Sequence, residues 1–226
     1  MSNLKKWDTA HCFVLFVGGI IFWFTQLKLI LILSMLSSFI YLFISEQNLL
    51  RKFRPFAGYA NLITAIRLLG IMVLFSFADN LVNLQITSIL IILISLDGLD
   101  GFLARRFKQV TDFGGIFDME TDSLFVCLTS ILLFERGLIG AWILLIGFFR
   151  YFYVVLISFL GLAQFTEKRT KFGPTIAVLL FIAVIIPFAL PQNIYMPCLI
   201  IASTLVSLSF IWSFCLLIVE KRKSIV

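Results

Sequence analysis

Apolar runs long enough to cross a bilayer recur along nearly the whole chain, and nothing else in the sequence restricts its fold as strongly. A membrane-spanning helix needs about 17–25 predominantly apolar residues. Such runs are expected as spans at about 10–26, 28–45, 60–78, 83–104, 114–134, 138–162, 174–190 and 195–219. The expected fold class is all-α: a polytopic integral membrane helical bundle of about eight spans. With 61% hydrophobic and 13% charged residues, the 226-residue chain has no room for a separate soluble domain. A cleaved signal peptide is the competing reading of the first run. It lacks a small-x-small cleavage site and meets a second span almost at once.

Charge sets the expected orientation. With the N-terminus in the cytoplasm, the inner segments hold Lys5, Lys6, Arg51, Lys52, Arg54, Arg105, Arg106, Lys108, Lys168, Arg169, Lys171, Lys221, Arg222 and Lys223. The outer turns hold only Lys28 and Arg136, and Arg67 and Arg150 fall within spans. That asymmetry obeys the positive-inside rule and puts both termini in the cytoplasm. It also accounts for the net charge of +6 through anionic lipid, without nucleic acid as a partner. Residues 1–45 are expected as an N-terminal transmembrane hairpin. Residues 46–59, with Arg51, Lys52, Arg54 and Pro55, read as a basic interfacial segment or a plain loop. Cys12, Cys127, Cys198 and Cys215 lie in apolar runs without paired spacing and read as packing residues. His11 stands alone, which argues against a histidine metal site.

The chemistry is concentrated between positions 97 and 122. Asp97, Asp100, Asp118 and Asp122 follow at spacings of three, eighteen and four. Helical residues three or four apart share a face, so each pair points one way. Gly101 lies four after Asp97, Ala104 four after Asp100, and Gly114 four before Asp118. The acid faces therefore continue as small-residue faces, open to a ligand. The short link from Arg106 to Phe113 makes the two helices antiparallel neighbours, with Thr111 or Asp112 as N-cap. Oxygen-only donors suit one or two Mg2+ or Mn2+ ions, and a divalent pair clamps a diphosphate. Arg67 and Arg105 would add planar donors to phosphate oxygens. The plain alternative pairs the acids with Arg105, Arg106 and Lys108.

This pattern, Asp-x2-Asp-Gly-x2-Ala-Arg-x8-Gly-x3-Asp-x3-Asp, resembles the signature of the CDP-alcohol phosphotransferase family at every fixed position. Asn61-x2-Thr64-x2-Arg67 is similar to that family's nucleotide-side motif. The resemblance implies a six-span core over 60–219, so that 60–226 forms the core and the first two spans are extra. It implies a CDP-linked lipid donor such as CDP-diacylglycerol, an alcohol acceptor of unassigned identity and release of CMP in phospholipid synthesis. One metal would be held by Asp97, Asp100 and Asp118, and a second with help from Asp118 and Asp122. Asp122 would be the general base. Asn61, Thr64, Arg67, Gly101, Ala104, Arg105 and Gly114 would line the nucleotide and diphosphate site. A homodimer is likewise implied.

Glu120 lies between the second pair of acids but turns to the opposite side of its helix, so a structural contact, such as one with a basic residue, is expected. Arg150 lies in mid-span, where an ionisable group is costly. It would bind the acceptor or neutralise a buried acid. Lys168, Arg169 and Lys171 read as inner-face charges with an acceptor role open. A transporter would need no such phasing of Gly and Ala, and a catalytically silent scaffold would need no full set of acids. The extra hairpin is expected to serve oligomer contacts or membrane placement, with activity surviving its deletion. Short loops fit a bacterial inner membrane.

Overall fold

The computed structural model describes residues 3–53, 57–107, 109–162 and 173–223, and among these the side chains of residues 3, 100 and 223 are left out. The chain runs as α1 (Asn3–Thr25), α2 (Lys28–Ser45), the single turn α3 (Gln47–Leu50), α4 (Tyr59–Phe77), α5 (Asn83–Arg106), α6 (Asp112–Glu135), α7 (Trp142–Phe159), α8 (Gly173–Ile185) and α9 (Gln192–Lys223). Among the described residues no strand is present. The protein is a polytopic helical membrane bundle. Among the described residues six helices, namely α1, α2, α4, α5, α7 and α9, are long and apolar enough to cross a membrane.

The other two long helices differ for separate reasons. α6 carries Asp112, Asp118, Glu120, Asp122 and Glu135, yet every residue from Leu124 to Leu133 is buried. It meets protein on all sides, which is where a helix with polar positions is tolerated. α8 has 13 residues and rises only about 20 Å, short of a hydrocarbon core of about 30 Å. The span expected to reach residue 190 stops at Ile185. Pro187 has no N–H to donate to the preceding turn, and the chain tightens into a 3-10 turn over Ile186–Phe188.

Small residues set the closest approaches, as expected where helices pack without a hydrophobic driving force between them. A Cβ added to Gly147 of α7 would lie 2.8 Å from Ser130 Cβ and 3.3 Å from Cys127 Cα of α6. α1 lies along both α2 and α7, and α4 lies along both α5 and α6. Cys12 and Cys127 are buried, Cys198 and Cys215 exposed, and all four are free thiols.

The two basic residues assigned to the outer turns meet the same end of the bundle. Lys28 Nζ lies 2.9 Å from Asp79 Oδ1 and 3.0 Å from Glu135 Oε2. Arg136 Nη1 donates to Asn83 Oδ1 at 3.0 Å, and its Nη2 donates to the carbonyls of Leu81, at 2.7 Å, and Ala78. These charges tie the turns at that end together.

Candidate functional site

The candidate site lies where α4, α5 and α6 come together. Thr111 is the N-cap of α6, its hydroxyl oxygen accepting the Gly114 N–H at 3.0 Å. This satisfies one of the orphan donors of the first turn. The link between α5 and α6 is short, as expected, but the two helices are not packed neighbours. Among the described residues α4 packs against both of them, and α6 packs against α7 as well. Tyr59, which opens α4, donates its backbone N–H to Gln109 Oε1 at 3.0 Å and so ties α4 to that link.

Into this junction α4 sends Arg67, only 3% exposed. Its Nη2 lies 2.6 Å from both Asp97 Oδ1 and Asp122 Oδ1, and its Nη1 lies 3.0 Å from Asp118 Oδ1. Carboxylate oxygens of Asp97, Asp118 and Asp122 come within 4.8 Å of one another. The three acid side chains are 27%, 40% and 29% exposed. The cluster is thus open on one side and sealed by a guanidinium on the other. Asp100 is helical, but its side chain is outside the description.

Arg67 was assigned to the nucleotide from sequence; here it is the counter-ion of the acids. Arg67 meets three carboxylates among the described residues, and such a set of oxygen-only donors fits a hard divalent ion such as Mg2+ or Mn2+. Of the plain reading, which pairs the acids with Arg105, Arg106 and Lys108, the Arg105 and Arg106 pairings are not seen among the described residues. Both are exposed, neither forms an ion pair among the described residues, and Arg106 lies 5.9 Å over the Phe102 ring. Lys108, Lys168, Arg169 and Lys171 lie outside the described residues, as do Arg54 and Pro55.

Asn61, Thr64 and Arg67 form one buried stripe on α4. Asn61 Nδ2 donates to the Ala57 carbonyl at 2.8 Å, and Thr64 Oγ1 donates to that of Ala60 at 3.2 Å. Gly114 corrects the sequence reading. It does not open space for a ligand, because a Cβ there would meet Asn61 Oδ1 at 2.9 Å and Thr111 Oγ1 at 3.3 Å. It admits Asn61 instead. Gly114→Ala is therefore expected to cost about 1–3 kcal/mol, read as a lower unfolding temperature in detergent; an unchanged temperature would show that Asn61 gives way freely. On α5, nothing among the described residues lies within 4 Å of a Cβ on Gly98, and on Gly101 the nearest atom is an Arg105 guanidinium nitrogen at 3.5 Å. Ala104 beside them is half-buried.

Arg150 lies on the other side of α6. Its Nε donates to Glu120 Oε1 at 3.0 Å, and its Nη2 contacts that same oxygen and, at 3.1 Å, Asp8 Oδ1. Of the two roles left open for Arg150, the contacts made are those of neutralising buried acids. Glu120 makes the basic contact expected of it. Sequence reasoning passed over Asp8 and took His11 as solitary. The available signal was the i, i+3 spacing of Asp8 and His11, one face of a span, with two unmatched charges elsewhere in apolar surroundings.

A buried arginine under a cluster of carboxylates, among helices apolar enough to cross a membrane, defines a helical membrane protein with an oxygen-donor cluster that could hold a metal ion. The chain belongs to the CDP-alcohol phosphatidyltransferase family, which matches residues 58–219. α1 and α2 precede that match. Over 79 residues the chain is 37% identical to a CDP-diacylglycerol–glycerol-3-phosphate 3-phosphatidyltransferase of Pseudomonas fluorescens, covering 34% of this chain and 40% of that protein. Proteins of the same description from Rickettsia typhi and Rickettsia prowazekii are 31% identical over 75 residues, covering 33% of this chain and 42% and 41% of theirs. The chain thus spans about two fifths of the length of the curated relatives it matches.

Proposed function

We propose that this protein moves the phosphatidyl group of CDP-diacylglycerol onto the hydroxyl of an alcohol and releases CMP. The observation that carries this reading is the convergence of Asp97, Asp118 and Asp122 within 4.8 Å beside the open Gly98–Gly101 face of α5. Family membership supports the donor class. The names of the relatives make glycerol 3-phosphate the acceptor we propose. The distribution of basic residues supports a cytoplasmic site and termini, and a bacterial inner membrane is the proposed location.

Asp97, Asp100, Asp118 and Asp122 would hold one or two Mg2+ or Mn2+ ions. Bound there, such ions supply charge neutralisation for the diphosphate and its leaving group. The chain's own residues do the rest. Asp122 takes the proton of the acceptor hydroxyl. The acceptor oxygen then forms a bond to the phosphorus that carries the lipid, the anhydride bond to the cytidylyl phosphate breaks, and CMP leaves with that electron pair. Arg67 holds Asp122 and Asp118 in place, and Gly101 and Ala104 let the nucleotide approach α5. Rate comes from positioning and charge complementarity, as in other phosphoryl transfers.

CMP release by the purified full chain, with CDP-diacylglycerol and Mg2+ or Mn2+, tests this. Release that needs the metal and glycerol 3-phosphate is the expected result. Release with a different alcohol would replace the acceptor and keep the reaction class. Binding of CDP-diacylglycerol without release, across a panel of alcohols, would favour a noncatalytic scaffold.

A further inference from the structure

We propose that Glu120 and Arg150, held from α1 by Asp8 and His11, form a positioning device that sets the rotation of α6 and thereby the placement of Asp118 and Asp122. The inference rests on the proposed function for its catalytic consequence but not for its geometry.

α6 has two unlike faces. Phe113, Phe117, Glu120 and Leu124 are all fully buried, at spacings of four, three and four that define one face. Asp118 and Asp122 lie roughly opposite Glu120, since each is two residues away at about 100° per residue. The buried face meets the N-terminal hairpin. Phe43 of α2 stacks edge-on to Phe113 and Phe117, at 5.8 and 5.2 Å between centroids, and Phe39 to Phe117 at 5.7 Å.

Aromatic packing alone tolerates a helix rolling about its axis. A buried carboxylate does not, because any roll that breaks its pairing leaves an uncompensated charge. Glu120, at 0% exposure, is met from two other helices, α7 and α1. Arg150 of α7 grips Oε1 and reaches Asp8 of α1. His11 Nε2 of α1 packs 3.6 Å from the second oxygen, Oε2, beyond hydrogen-bond distance, and neither atom has a hydrogen-bond partner among the described residues. The imidazole is itself fixed, its Nδ1 2.7 Å from Ser38 Oγ of α2 and its ring stacked on Trp7 at 4.7 Å. Trp7 Nε1 donates to the Ser38 carbonyl at 3.0 Å. Asp8, Cys12 and Glu120 also bring ligand-type atoms within 4.8 Å of one another. With the Arg150 guanidinium on both carboxylates, that cluster already has its cation, and we read it as an anchor.

The lever is short. A carboxylate about 6 Å from the helix axis moves about 1 Å for a roll of about 10°. A misplacement of about 1 Å can cost about 100-fold in rate. The extra hairpin is then part of the catalytic assembly, contrary to the expectation that its deletion leaves activity intact.

The test replaces the whole ion set with side chains that keep the volume: Asp8→Asn, Glu120→Leu and Arg150→Met in one full-length variant. Matched apolar replacement of a buried pair is often neutral for stability. The expected result is an unfolding temperature close to that of the unaltered protein, with kcat reduced about 100-fold, KM for CDP-diacylglycerol nearly unchanged, and weaker Mn2+ binding by electron paramagnetic resonance. A folded variant with unaltered kcat and Mn2+ affinity would overturn the proposal. Should the triple variant not fold, Arg150→Lys serves: lysine keeps the charge but not the fork that reaches two carboxylates. It is expected to weaken Mn2+ binding and lower kcat, and unaltered values in both would overturn the proposal. If the unaltered protein releases no CMP, the functional reading fails, and the Mn2+ measurement still decides this one.

Discussion

Asp122→Asn is expected to lower metal-dependent CMP release by about 1,000-fold, within the range that a positioned proton acceptor contributes. Asparagine keeps the shape of the side chain and removes its basicity. Arg67 retains Asp97 and Asp118 as partners, at 2.6 and 3.0 Å, so the fold should survive. The check is steady-state CMP release alongside thermal unfolding in the same detergent. A variant that unfolds at the usual temperature and keeps more than about a tenth of its activity would place the proton acceptor elsewhere, since general-base catalysis is worth at least about 100-fold.

Arg67→Met is expected to act on stability first. Removing one partner of a sealed ion pair costs about 3–5 kcal/mol. The carboxylates here are 27–40% exposed, and water screens them in part, so a loss of about 2–3 kcal/mol is expected. The same carboxylates are the proposed metal ligands. Mg2+ or Mn2+ at about 100 times its dissociation constant would return about 2.7 kcal/mol. The unfolding temperature of Arg67→Met should therefore rise with metal concentration more steeply than that of the unaltered protein, because the metal then no longer competes with the Arg67 guanidinium for the same carboxylates. Equal responses would show that Arg67 and the metal do not share ligands.

The location of the candidate site was legible in the sequence because it is written in short range. Two acids three apart, two acids four apart and small residues at helical spacing need only local geometry to share a face. The bundle was legible for the same reason, since an apolar run declares its environment one residue at a time. The limits of α8 were misjudged because Pro187 acts on the hydrogen bonds of the preceding turn, which hydropathy does not register. The space beside Gly114 was misjudged because Asn61, which fills it, comes from another helix.

What the sequence by itself determined is the helical membrane class and where the acids cluster along the chain, both of which follow from local patterns and from the cost of burying polar groups in lipid. What only the tertiary structure decided is which cation each acid meets. α4 lies between α5 and α6, so Arg67 reaches Asp118 and Asp122 across 51 and 55 positions of chain. Arg150 pairs with Glu120 across 30 and with Asp8 across 142. Spacing cannot encode such pairings. They follow from the way an excess of buried charge of one sign is neutralised by whichever opposite charge helix packing brings within reach.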